Sequence, residues 1–495
     1  MMPSTSLNGI DQSRRLVTLL FIAAALALRM YHLEAQSLWN DEMFSLDVAR
    51  QSLADIQPVL VANYHHPPLF FYLAHLSIQW FGATAWALRL PSAIAGALTV
   101  GLVFSATDQI SSRLSGLAAG AFCLLSPFHL AYSQEGRPYA LAALLALLSC
   151  VSFLFLLRDG SIGRKVGYVL STLALLYTHH WGIFVLATQC LLVIAWHRRE
   201  LWKQLRYFEL VAIIVILYIP EFLALRRQTL ESAPIQWFWS TPPSPQELYR
   251  LATAFSGTYF NMASSVFELP VVLQILAALA LIYLLTLPLR EFWKHRGSHP
   301  IHLITLCLGG TLLIPFVISF IKPEIFLWYR YTVIVFPLLC VTIGGALHAS
   351  RMGRNTIVAA VCIGIALVAG IIGDSTYYSW EKSNAKEVAA FVEQVTNDGV
   401  PVVIRPKEFA PLLNYYYKGK ATQYDEAYLE SPLGKIVDTI PTFAYVSLDV
   451  PNLIRNYMNG HFVKLNERHF PGKAHMGILV DVYKQPPDTD STQSE

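Results

Sequence analysis

Between residues 16 and 372 long apolar runs are separated by short basic or polar connections, whereas residues 373 to 495 show the mixed polarity of an ordinary soluble domain. A helix that crosses a bilayer needs about 20 mostly apolar residues. On that criterion the runs predict helices at 14–33, 90–110, 114–132, 138–157, 165–179, 181–197, 207–226, 265–289, 301–321, 330–348 and 355–373, about eleven spans. The stretch 165–197 is read as two short spans broken at Thr178-His179-His180-Trp181; one kinked helix there would invert everything after it. Two apolar stretches are too short to cross. Leu69 to Phe81, opened by Pro67-Pro68, is expected to lie along the membrane surface. Pro234 to Pro245, with Trp237, Phe238 and Trp239, is expected at headgroup depth, as a flap over a lipid-facing cleft.

In the polar tail, Val388, Phe391, Val392 and Val395 recur at helical spacing after a cap-like start at Asn384 and Glu387. Residues 401–405, 443–448 and 476–483 read as strands, 410–417 and 451–458 as short helical patches, and 485–495 as disordered. The expected fold is mainly α: a polytopic membrane helical bundle over 1–373, with large outer loops at 34–89 and 227–264, and a small C-terminal α/β domain over 374–495. That domain has no glycine-rich phosphate loop and no nucleophile motif, so structural or acceptor-guiding work is expected of it.

Composition narrows the class. Apolar residues make up 54% of the chain and charged residues 14%, against roughly a quarter charged in soluble domains, which argues against a purely soluble enzyme. A net charge of +3 without a basic stripe sets nucleic acid aside. All six cysteines lie in apolar segments without CxxC spacing and read as small buried hydrophobes. Arg14 and Arg15 before the first run suggest an uncleaved anchor rather than a signal peptide. With the N-terminus in the cytoplasm, every inner connection carries Arg or Lys, including Arg113, Arg158, Arg198, Arg290 and Arg351. The C-terminal domain is then extracytoplasmic, and the membrane is expected to be a plasma (bacterial inner) membrane.

Four segments on the expected outer side carry candidate chemistry. Trp39-Asn40-Asp41-Glu42 follows the first span; two carboxylates there are either a solvated loop or a general base with a positioning neighbour. In His65-His66-Pro67-Pro68 the prolines hold the backbone extended, giving either a rigid turn or a ligand contact from one imidazole. Tyr132-Ser133-Gln134-Glu135-Gly136-Arg137-Pro138-Tyr139 places a carboxylate and a guanidinium in a tight connection, where they either pair with each other or face an inward polar site. In Trp328-Tyr329-Arg330-Tyr331, Arg330 either snorkels to the interface or binds a phosphate. Together these suit a substrate with a sugar, a phosphate and a lipid tail. A transporter or lipid flippase, with ionisable groups near mid-membrane, is the alternative, and a non-catalytic scaffold a third.

The order Leu38-Trp39-x-Asp41-Glu42-x-x-Ser45, His66-Pro67-Pro68-Leu69, Leu88-Arg89-Leu90-Pro91-Ser92, Tyr132-Ser133-Gln134-Glu135-x-Arg137-x-Tyr139 and Arg330-Tyr331 with Pro337 resembles the glycosyltransferase 39 family. This is the membrane-embedded GT-C group that includes protein O-mannosyltransferases and the aminoarabinose transferase of lipid A. The likeness runs from about residue 30 to 345, and five motifs in order make it specific. Gly136 stands where alanine is usual, and the Trp328-Tyr329 pair is not the commonest form; neither change removes a polar group.

The resemblance implies transfer of a sugar from a polyprenyl-phosphate carrier to an extracytoplasmic acceptor, with inversion at the anomeric carbon. It makes Asp41 the catalytic carboxylate and Glu42 its partner. Glu135, Arg137, Tyr139, Arg330 and Tyr331 fall at positions around donor phosphate and sugar, and His66 and Trp39 line the cavity. No cofactor is required on this view, while a divalent cation near the acidic residues stays open. Partners are the donor lipid, the acceptor and membrane lipids.

Overall fold

Each expected apolar run has a helical counterpart in the computed structural model of the chain. The structure describes residues 4–63, 66–196, 200–231, 243–262, 265–295, 299–327, 329–350, 354–379, 384–396, 400–405, 409–419, 423–424, 442–448, 459, 462–470 and 478–484. Tyr64, His65, Trp237, Phe238, Trp239, Trp328 and the expected segments 451–458 and 485–495 lie outside them.

The helices are α1 (Ser4–Met30), α2 (Asn40–Ala49), α3 (Leu53–Asn63), α4 (Leu69–Phe81), α5 (Ala85–Ile110), α6 (Arg113–Leu124), α7 (Pro127–Ser133), α8 (Tyr139–Arg158), α9 (Ile162–Leu176), α10 (Gly182–Trp196), α11 (Leu201–Glu231) and α12 (Pro245–Phe255). After the short strands β1 (Tyr259–Met262) and β2 (Ser265–Glu268) come α13 (Val271–His295), α14 (Pro300–Ile318), α15 (Phe336–Ala349) and α16 (Arg354–Tyr378). Among the described residues seven helices are long and apolar enough to cross a membrane, or eight if α6 and α7, bent by 61°, count as one. The expected helix 265–289 begins later, at Val271, because residues 265–268 form β2 and Pro270 precedes the first turn.

Local chemistry explains the breaks. Ser126 accepts a hydrogen bond from the His129 N–H and Pro127 opens α7, so the chain leaves α6 and restarts at an angle. Between α9 and α10 the helix is interrupted at Tyr177–Trp181, where His179 Nδ1 accepts the Trp181 backbone N–H at 3.1 Å. At 15 residues each, these two helices are about 22 Å long, short of the roughly 30 Å hydrocarbon core. The Leu69 N–H donates to the Tyr177 carbonyl at 2.9 Å, so the start of α4 is pinned to this break.

The chain divides into two compact units: residues 1–33, 45–260 and 267–379, and residues 34–44, 261–266 and 380–495. In the first, α5 is central and approaches its neighbours at backbone distance. A Cβ at Gly96 would lie 2.1 Å from Ser133 Oγ, and one at Gly101 2.4 Å from Ile22 Cγ1. Small residues permit such packing where apolar burial cannot drive helices together.

In the second unit a five-stranded sheet has the order β4 (Gln423–Tyr424), β3 (Val402–Arg405), β5 (Thr442–Leu448), β7 (Ile478–Lys484), β6 (Val463–Phe470). The β4-β3-β5 part is parallel and the β5-β7-β6 part antiparallel. α17 (Ala385–Val395) buries Val388, Phe391 and Val392, and α18 (Ala410–Tyr416) buries Leu412 and Leu413. Asn384 makes no side-chain cap to α17, contrary to the expected start. Two strands of this sheet are not expected from the sequence, the two-residue β4 and β6; in β6 Lys464, Glu467 and Arg468 break the apolar alternation, and its exposed pattern fits an edge strand.

Candidate active site

The turn between α7 and α8 is held by hydrogen bonds from side chain and backbone. Gln134 Nε2 donates to the carbonyls of Arg29 at 2.9 Å and Tyr31 at 2.8 Å. The Arg137 N–H donates to the Glu135 carbonyl at 2.8 Å, and Ser92 Oγ donates to the Arg137 carbonyl at 3.0 Å. Pro138 then starts α8. The backbone is therefore held from both sides before the Arg137 side chain leaves it.

That side chain is 4% exposed. Its Nη1 donates to Ser45 Oγ at 3.1 Å, and its Nη2 lies 2.8 Å from His66 Nε2. The guanidinium sits over the Tyr139 ring at 5.9 Å, a cation–π contact that favours a buried charge. Because a guanidinium only donates, His66 Nε2 is the acceptor. Burial first, then the charge of Arg137, the neighbouring His179 and His180, and the charge of Arg330 hold His66 well below the ordinary imidazole value. His66 is therefore neutral.

Around this pair lie aromatic rings. Tyr139 meets Tyr132 at 5.3 Å and Tyr331 at 6.4 Å between centroids; His179 lies 5.7 Å from His66, 5.8 Å from Tyr139 and 5.1 Å from Tyr331. Tyr132 OH donates to the Tyr329 carbonyl, tying the α7 end to the segment that carries Arg330. Arg330 is half-buried over the Tyr329 ring at 5.6 Å. The structure thus brings His66, Arg137, Tyr139, Arg330 and Tyr331 together, with Glu135 buried beside Tyr132. A cavity of about 520 Å³ is lined by Pro68, Tyr72, Tyr177, Glu221 and Arg227 and by none of the cluster residues. At its rim Gln57 Nε2 donates to Glu221 at 2.9 Å.

The acidic candidates belong to the second unit. Asp41 and Glu42 fall in the first turn of α2 rather than in a loop, where the helix dipole favours negative charge. Glu42 is fully buried and Asp41 and Trp39 are half-buried, so the pair is not a simple solvated loop. The segment before them is anchored to the α/β domain. Lys386 Nζ donates to the carbonyls of Glu34 at 2.9 Å and Ala35 at 3.0 Å, the Lys386 N–H donates to Ser37 Oγ at 3.3 Å, and the Leu38 N–H donates to Tyr416 OH at 2.7 Å.

Several positioning groups carry no signal of their own in the sequence. Ser45 and Ser92 stand within the family-like motifs without an assigned part, and Arg89, 1% exposed, donates to the Leu33 carbonyl at 2.8 Å and closes the end of the first span. His179 looks from sequence like a mere connection. Among the described residues no group of three or more His, Cys, Asp or Glu side chains is arranged to hold a metal ion.

Residues 65–223 match the family model described as dolichyl-phosphate-mannose-protein mannosyltransferase. Among solved structures, ArnT from Cupriavidus metallidurans in the apo state is 15% identical with a TM-score of 0.59, over 94% of this chain and 97% of that one. The same protein bound to undecaprenyl phosphate is 14% identical with a TM-score of 0.58, over the same shares. Comparison with curated proteins gives no match. The matched stretch contains His66, Ser92, Glu135, Arg137, Tyr139 and His179, and the shared fold extends over nearly the whole chain. With a match to that family model over residues 65–223 and the helical fold it shares with ArnT, the chain is an integral membrane glycosyltransferase.

Proposed function

We propose that the chain moves a sugar from a polyprenyl-phosphate carrier to an extracytoplasmic acceptor, a protein, lipid or polysaccharide, with inversion at the anomeric carbon. The observation that carries this reading is the Arg137 guanidinium, buried, fixed by Ser45, His66 and Tyr139, and accompanied by the charge of Arg330. Such a fork suits the oxygens of a phosphate. Two named likenesses support it: the matched family is described by a dolichyl-phosphate sugar, and ArnT was solved with undecaprenyl phosphate bound.

In the transfer, the acceptor oxygen bonds to the anomeric carbon as the bond from that carbon to the carrier phosphate oxygen breaks. Negative charge grows on the departing polyprenyl phosphate, and Arg137 and Arg330 stabilise it more in the transition state than in the ground state. These fixed cations do the work a metal does elsewhere, so no cofactor is required. Asp41 takes the proton of a hydroxyl acceptor; with an ionised phosphate acceptor it orients the nucleophile instead. Glu42 holds Asp41 and the acceptor in register. Glu135, Tyr139 and Tyr331 shape the sugar and phosphate surroundings, and His66 and Trp39 line the donor's path.

The proposed topology has a cytoplasmic N-terminus and an extracytoplasmic domain after residue 373, in a plasma (bacterial inner) membrane. The transporter alternative gains nothing from the buried ionisable groups Arg29 and Asp374. Arg29 is next to last in α1 and Asp374 fifth from last in α16, so both sit at helix ends, not at mid-membrane. The test is to supply the full-length protein in lipid nanodiscs with a panel of polyprenyl-phosphate sugars and candidate acceptors. Products are read by mass spectrometry and anomeric configuration by NMR. A transferred sugar of inverted configuration is expected. Movement of intact lipid without glycosyl transfer, or turnover of nucleotide sugars only, would overturn the proposal.

A further inference from the structure

The interspan turn at His179 carries a feature that the transfer scheme above does not use. Since Arg137 Nη2 donates to His66 Nε2, the His66 proton is on Nδ1; since His179 Nδ1 accepts the Trp181 N–H, the His179 proton is on Nε2. Both of these N–H groups, His66 Nδ1 and His179 Nε2, are buried and have no hydrogen-bond partner among the described residues. Two donors cannot satisfy each other, and the two rings lie close together, their centres 5.7 Å apart. Buried donors left unpaired are costly, so such a site calls for an acceptor brought from outside.

The surroundings select the kind of acceptor. The groups whose charge acts on the two imidazoles are Arg137, Arg330 and His180, all cationic or potentially so. His180 is itself 3.1 Å from Tyr218 OH. Burial, helped by His180 and Arg137, lowers His179 to about 3, so both rings stay neutral and keep one N–H each. A sugar hydroxyl brings a hydrogen of its own to place, whereas an ionised phosphate oxygen only accepts.

We propose that His179, from the turn between α9 and α10, joins His66 as a second neutral imidazole donor to a phosphate oxygen beside Arg137. His179 is thus a binding residue for a phosphate monoester or diester head, and the inference rests on the polyprenyl-phosphate reading above. The Trp181 N–H bond is its second task, and the two tasks are separable. Asparagine at 179 keeps an oxygen within reach of the Trp181 N–H but cannot extend a donor to the Nε2 position.

The experiment uses the full chain in nanodiscs without acceptor or sugar, so it reads binding alone. One arm measures the affinity for a polyprenyl phosphate and the other for inorganic phosphate, in wild type, His179→Asn and His179→Gln. Thermal midpoints control for folding, and 15N-histidine NMR reports the His179 Nε2–H. Expected are an unchanged midpoint, about tenfold weaker binding in His179→Asn in at least one arm, partial recovery in His179→Gln, and a ligand-induced shift of the wild-type Nε2–H signal. Whichever arm responds identifies the source of the phosphate. Wild-type affinity of His179→Asn in both arms, or an Nε2–H signal indifferent to both ligands, overturns the inference. Transfer lost in Asp41→Asn alongside such a result would sink this inference while leaving the glycosyltransferase reading in place.

Discussion

Arg137 Nη2 and His66 Nε2 stand 2.8 Å apart, and the geometry fixes the direction of the bond: the guanidinium donates and the imidazole accepts. Protonating His66 would set two cations against each other in a buried place. The folded His66 is held well below its usual range, while the unfolded chain titrates at about 6.5. The stability this contributes is therefore complete above about pH 6.5 and is lost as pH falls toward the lowered folded value. Thermal unfolding in detergent from pH 8 to pH 5 should show a midpoint that drops on acidification, and the drop should be shallower in His66→Asn. A wild-type midpoint that rises on acidification would contradict the assignment of a neutral His66.

Ser92 acts on the same guanidinium through the backbone, since its hydroxyl holds the Arg137 carbonyl at 3.0 Å while fully buried. Ser92→Ala leaves that carbonyl short of a partner and should cost about 1–2 kcal/mol of stability. Transfer rate should fall by roughly tenfold with expression retained, because small misplacements of a charged fork are costly in the transition state. Steady-state kinetics and a melting curve on the same preparation check both; an unchanged kcat would show that Ser92 has no positioning part.

The second unit holds the acidic segment by its backbone. Tyr416→Phe deprives the Leu38 N–H of its acceptor, and Lys386→Met frees the Glu34 and Ala35 carbonyls. Each change should loosen residues 34–44, seen as faster protease cleavage there, and reduce sugar transfer about three- to tenfold, the equivalent of roughly 1 kcal/mol. Lys386→Arg should restore much of the rate. Cleavage and rate both at wild-type level in Tyr416→Phe would leave the α/β domain without this function.

These positioning roles mark where the sequence stops being readable. The helices were legible because span length and apolar content are local properties, as in α8 and α14. The tight turn at Arg137 was legible because a carboxylate and a guanidinium had nowhere to hide between two spans. The partners of that guanidinium were not. Ser45 and His66 come from α2 and the Pro67-Pro68 turn, while Ser92, from α5, holds the Arg137 carbonyl, and only tertiary packing brings them to one place. His179 was obscured for another reason: a histidine that interrupts an apolar run looks like a break in a span. Its second nitrogen gains meaning only once the first is seen capping Trp181. β6 stayed hidden because an edge strand exposes charged side chains on a sheet that is otherwise apolar.

Arg29 is fully buried, with Nη2 2.9 Å from His129 Nδ1 and the buried Asp374 acting on it electrostatically. Removing the cation alone strands the groups that face it, and losing one partner of a buried pair typically costs about 3–5 kcal/mol. Arg29→Met should therefore lower the thermal midpoint sharply, and adding Asp374→Asn should recover part of the loss. Additive losses in the double variant would mean that the two groups are not coupled.

The central claim is that a carboxylate in the first turn of α2 drives glycosyl transfer from a lipid phosphate held by guanidinium groups. The most direct measurement compares wild type and Asp41→Asn in nanodiscs, reading polyprenyl-phosphate binding and sugar transfer on the same samples. The account predicts intact lipid binding with transfer reduced at least a thousandfold for a hydroxyl acceptor, consistent with loss of a general base and its positioning. Wild-type transfer by Asp41→Asn would contradict it.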